Sequence, residues 1–171
     1  MSRQGGRLFL VAPYTGSKGF LMPTQPILEE PNVTEIREAW LRRLEDLVQT
    51  VRDWATEMGW STRRIEKSMK DSVIGRYVAP ALILQEETTR ILLEPIARSA
   101  PGAEGVVDLY LMPAYDDIAS LYLSNGVWQL HYMWPGTPTV NTMREAEPEP
   151  FSREILQRVL HEMKNNATID E

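Results

Sequence analysis

The chain has 171 residues, a formal net charge of −6, 43% hydrophobic residues and 25% charged residues, which suits one globular domain with its own core. It contains no cysteine, which excludes disulfides, thiolate nucleophiles and cysteine-based zinc or iron–sulfur centres. Its acidic balance argues against nonspecific nucleic-acid binding, and no apolar run is long enough to span a bilayer, so a cytoplasmic protein away from membranes is expected.

Residues 1–32 read as an N-terminal arm, punctuated by Gly5, Gly6, Pro13, Gly16, Gly19, Pro23, Pro26 and Pro31. One short strand is expected at 7–11. The run Leu8-Phe9-Leu10-Val11-Ala12 is too short for a signal-peptide core and is closed by Pro13. Gly16-Ser17-Lys18-Gly19 lacks the frame of a phosphate loop and has no strand-to-helix setting.

A long helix is predicted over 33–58. Ile36, Trp40, Leu44, Leu47, Val51, Trp54 and Met58 recur at helical spacing, with Leu41, Val48 and Ala55 widening the stripe. Asn32 suits the N-cap and Glu35 the third position of a capping box, while Gly59 suits the left-handed position after the helix. So wide a stripe fits burial against a sheet better than a coiled-coil seam.

From Ser61 to Trp134 the period shortens to that of strands, predicted near 62–69, 76–84, 88–96, 105–112, 117–124 and 127–134. Pro101-Gly102 and Pro113-Ala114-Tyr115-Asp116 mark turns. Asn125-Gly126 between alternating runs predicts a two-residue hairpin turn, because both residues tolerate positive φ. That turn sets Leu123 opposite Trp128, Leu121 opposite Leu130, and Ala119 opposite Tyr132 on the buried face. Ser120, Tyr122, Gln129 and His131 then look the other way.

A Pro-rich acidic connection follows over 135–150. A second helix is predicted at 152–164, capped by Ser152 and apolar along Ile155, Leu156, Val159, Leu160 and Met163. The whole reads as an arm (1–32), one α+β domain (33–165) and a frayed tail (166–171). The expected fold is a long N-terminal helix packed on a curved, roughly six-stranded antiparallel sheet, with a C-terminal helix.

Three functional readings arise. The first is a non-catalytic protein-binding domain of accessory, adaptor or immunity type, with no cofactor. It would hold a protein partner, or a second copy of the chain as a homodimer, through Tyr110, Tyr122, Gln129, His131 and Met133. Tyr and Met are favoured at such contacts. The second is a small-molecule cavity between sheet and long helix, lined by Trp54, Trp128, Tyr132 and Trp134. The third is a metal-dependent hydrolase or nuclease built on Glu94, Asp108 and Asp117, since hard cations prefer oxygen ligands.

Two further groupings carry less. Ser120 and His131 are expected as cross-strand neighbours with Asp108 or Asp117 nearby, but no nucleophile elbow surrounds Ser120. With two histidines and no cysteine, a structural zinc site is not expected. Arg63, Arg64, Lys67, Lys70 and Arg76 form a basic segment that suits either a charged edge strand or a contact with an acidic partner.

Overall fold

A computed structural model of the chain describes residues 32–135 and 147–167. The arm with its strand at 7–11, the middle of the Pro-rich connection and the end of the tail lie outside the described residues.

Helix α1 (Val33–Glu57) buries Trp40, Leu44, Leu47, Val48, Val51 and Ala55, which are members of the predicted stripe. It ends as expected: Gly59 adopts φ +91°, and the Trp60 N–H returns to the Ala55 carbonyl at 2.9 Å.

An antiparallel meander follows, made of β1 (Ser61–Asp71), β2 (Gly75–Glu86), β3 (Thr89–Ala97), β4 (Gly105–Met112), β5 (Asp116–Ser124), β6 (Val127–His131) and β7 (Glu149–Pro150). The strands lie side by side in chain order in one sheet of seven. The seventh is a two-residue strand inside the acidic connection, where prolines hide the strand pattern from sequence. It pairs at the edge, Leu130 with Glu149 and Gln129 with Pro150, a place where a residue lacking N–H is tolerated. β6 stops at His131, three residues short of the expected end. Helix α2 (Arg153–Ala167) runs three residues past its expected end at 164. Ser152 caps it, its Oγ accepting the Ile155 N–H at 3.2 Å.

Both helices lie on one face of the sheet. Leu156, Val159, Leu160 and Met163 of α2 join the α1 stripe in a core that takes in Leu82, Leu84, Ile91, Leu93, Val107, Leu109, Ala119, Leu121 and Leu130 from the strands. Gly105 admits the Trp40 ring at the start of β4, and the Trp40 Nε1–H donates to the Tyr77 hydroxyl at 3.1 Å.

Two prolines shape the sheet. β2 and β3 pair from Glu86–Thr89 to Leu82–Leu93. Two rungs further on, that register would oppose Pro80 and Pro95, and neither has an N–H to offer. Pairing stops before that rung. Lys67 of β1 reaches across β2, donating from Nζ to the Pro95 carbonyl at 3.0 Å and pairing with Glu94 at 3.1 Å.

The turn between β1 and β2 hangs on Asp71. Its Oδ1 accepts the N–H groups of Val73 (2.7 Å) and Ile74 (3.0 Å), and its Oδ2 accepts Arg98 Nε at 3.1 Å. Burial alone would raise the Asp71 pKa. The Ile74 and Val73 N–H groups, with Arg98, outweigh it and hold the carboxyl below its usual value. A depressed folded-state pKa gives stability that is present above the unfolded value, about 3.9, and is lost as pH falls through the folded one. Asp71→Ala is expected to cost about 2 kcal/mol at pH 7, the scale of hydrogen bonds to a charged group. Urea titrations should show that difference shrinking below about pH 4, as the carboxyl takes up its proton first in the unfolded chain and, at lower pH, in the folded one.

Candidate binding face on the sheet

The turn at Asn125 (φ +49°) and Gly126 (φ +78°) has both residues in the left-handed region. It sets the expected register between β5 and β6: Leu123 opposite Trp128, Tyr122 opposite Gln129, Leu121 opposite Leu130, and Ser120 opposite His131. Ala119, Leu121, Leu130 and Tyr132 belong to the core under the helices, while Ser120, Tyr122, Gln129 and His131 are half-buried on the opposite face, which neither described helix covers and which is called the helix-free face below.

The β4 register carries that face across the sheet, with Tyr110 opposite Ile118 and Leu92, and Val106 opposite Tyr122. Leu92 and Val106 are buried yet do not belong to the helix-side core, so this face holds apolar contacts of its own. Ile118, Tyr115, Val127 and Met133 are between 47% and 73% exposed. The Tyr122 ring meets His131 edge-on at 5.1 Å, and Tyr110 meets Tyr115 at 5.9 Å. Of the expected binding residues, Tyr110, Tyr122, Gln129 and His131 share the face through the ladder, and Met133 lies just past the end of β6. Leu92, Val106 and Ile118 were not singled out from sequence. Ile118 shares the parity of Ser120 and Tyr122, a signal that was legible there.

A polar row crosses the face. Glu94 is opposite Asp108, Asp108 opposite Ser120, and Ser120 opposite His131. The Tyr110 hydroxyl donates to Asp108 Oδ2 at 3.0 Å. Burial, then the negative charge of Asp108, pushes the Tyr110 phenol well above its ordinary pKa. Asp108 Oδ1 is buried without a hydrogen-bond partner among the described residues. The order of the row bears on catalysis. In a Ser–His–acid triad the imidazole lies between hydroxyl and carboxylate, relaying the proton and being oriented by the acid. Here Ser120 lies between Asp108 and His131.

Asp117 does not join Glu94 and Asp108. The register jumps from Tyr110–Ile118 to Leu111–Asp116, leaving Asp117 as a bulge residue at φ +49°. Its carboxylate accepts the Tyr132 hydroxyl at 2.8 Å and Asn166 Nδ2 at 2.6 Å, tying β5 to α2 on the helix side. Burial and that bond to Asp117 raise the Tyr132 phenol far above its ordinary pKa. Among the described residues, no three acidic or histidine side chains converge on a point.

The residues expected to line a cavity are each packed against another ring. Trp128 stacks at a tilt on Trp40 (6.5 Å), Trp54 on Phe151 (5.6 Å), and Trp134 edge-on to Tyr132 (4.8 Å) with Arg158 over its ring at 4.1 Å. Trp40, Leu44, Leu47, Val48 and Val51 fill the space between α1 and the sheet, each no more than 5% exposed.

The basic segment runs along β1, one edge of the sheet, and ends with Arg76 at the start of β2. Arg64 pairs with Glu45 of α1, and Lys67 with Glu94. Arg63, Lys70 and Arg76 are exposed and make no ion pair among the described residues. No helix among the described residues is long and apolar enough to cross a membrane.

No family model, no curated protein and no solved structure matches this chain.

Proposed function

We propose that this chain is a non-catalytic protein-binding domain of the accessory, adaptor or immunity type, engaging its partner through the helix-free face of the sheet. One observation carries the reading. Both described helices cover the same face, while the other presents Tyr110, Ile118, Tyr122 and His131 around a polar row, with Met133 at its margin. Aromatic side chains bury large area at small entropic cost, and a polar row fixes orientation. The packed space beneath α1 and the scattered acids give no comparable support to a ligand cavity or a metal centre.

Capture from the source cell tests the reading with three proteins: wild type, Tyr122→Ala/His131→Ala, and Glu38→Ala on the exposed side of α1. The partner recovered with wild type and Glu38→Ala should be lost with the double variant, whose Tm stays within a few degrees of wild type. A partner retained by the double variant, at unchanged Tm, would remove this face from the reading. Sedimentation of the pure protein asks whether the partner is a second copy: a homodimer on this face would dissociate in the double variant.

A further inference from the structure

β1 is an edge strand of 11 residues, so its outer rim carries main-chain N–H and C=O groups that no described strand engages. Along it stand the exposed cations Arg63 and Lys70, with Arg76 directly across from Lys70 on β2. These three make no ion pair among the described residues, and Lys70 and Arg76 set like charges in register, an unfavourable pair left standing. Yet the chain as a whole is acidic, at −6.

The same charges select among strands able to add to this edge. Two copies pairing antiparallel through β1 meet a like pair in every register centred from Ile65 to Lys67: Arg63 with Lys67, Arg64 with Lys67, Glu66 with itself, Arg63 with Lys70, or Lys67 with itself. Like charges directly opposed are destabilising, so three of these registers are disfavoured, while in the first and fourth Glu66 also opposes a cation, Arg64 or Lys67, and the charges balance. An acidic strand meets the reverse situation. Its carboxylates would relieve the Lys70–Arg76 repulsion and pair with Arg63, while its backbone completes the open ladder.

We propose that β1 accepts an extended acidic segment of a partner protein by strand addition, with Arg63, Lys70 and Arg76 selecting for carboxylates. This surface is separate from the helix-free face, and either can hold without the other.

The probe is a fluorescent peptide as long as β1, made of threonine and valine with two glutamates spaced as Arg63 and Lys70 are. Its binding to the full chain is read by anisotropy. Three comparisons accompany it: the same peptide with lysine for glutamate, the same peptide with alternate backbone amides N-methylated, and the glutamate peptide against Arg63→Glu/Lys70→Glu. The glutamate peptide should bind with an affinity that falls as salt is raised, and the lysine peptide should not bind. The charge-reversed protein should bind about tenfold more weakly or worse, since several ion pairs become repulsions. N-methylation on the pairing side should abolish binding, because it removes the ladder donors and leaves the charges. Binding left undiminished by methylating each of the two alternate sets of amides in turn would reduce the contact to simple charge attraction and overturn strand addition. No binding of the glutamate peptide, or equal binding by the charge-reversed protein with its Tm intact, would overturn the proposal outright.

Discussion

Gly105→Ala is expected to destabilise the domain by about 3 kcal/mol, toward the upper end of what overpacking a core costs. A Cβ at this position would lie 2.4 Å from Cζ3 and 2.6 Å from Cη2 of Trp40. The backbone is not the cause, since Gly105 is not among the glycines with positive φ. The cost depends on whether the indole can move, and three contacts resist that. Trp40 is 4% exposed, its Nε1–H is committed to the Tyr77 hydroxyl, and its ring leans on Trp128. The check is a double-mutant cycle in urea. Trp40→Phe shortens the ring that meets the new methyl, so Gly105→Ala should cost less in that background by about 1–2 kcal/mol, the coupling expected of residues in contact. Additive costs would show that the ring was free to shift. In each variant the midpoint should move while the m-value holds, as for a change in stability without a change in the surface exposed.

The Trp40–Gly105 contact also marks where sequence reading ran out. The α1 stripe and the Asn125-Gly126 hairpin were legible because each depends on residues within a few positions: a helical period in one, two residues tolerant of positive φ in the other. The helix-free face at Tyr122, Gln129 and His131 followed directly from that hairpin. The polar row did not follow so fully. Ser120 beside His131 comes from the same tight turn, but placing Glu94 opposite Asp108 needs the register across the longer connection between β3 and β4, which no local signal sets. Asp117 was misplaced among candidate metal ligands for a similar reason. Strand alternation puts it near the other acids only if β5 runs without interruption. The bulge that turns it toward Tyr132 and Asn166 involves partners 15 and 49 residues away. The glycine opposite a tryptophan 65 positions earlier reads, in sequence, as no more than the start of a strand.

Leu121→Ala and Tyr122→Ala should have opposite consequences although the residues are adjacent. Leu121 is fully buried on the helix side, between Val107 and Leu130 in the ladder. Truncating it removes buried methyl groups and leaves a cavity that a packed sheet closes only in part, a loss of about 3–4 kcal/mol. Tyr122 is half-buried on the other face, and its ring contact within the sheet is the edge-on one with His131. Losing that contact costs about 1 kcal/mol, the usual scale for an aromatic pair. Urea denaturation of the two variants beside wild type therefore measures what the helix-free face is for. A large loss at Leu121 with a small one at Tyr122 means that the tyrosine contributes little to folding and is available for a partner. Matching losses would mean that both faces of β5 are interior, and the binding reading would fail at the strand where it was built. The comparison holds backbone, strand and register constant and changes only which way a side chain points, so a difference in stability reports the covering of each face and not the propensity of the strand.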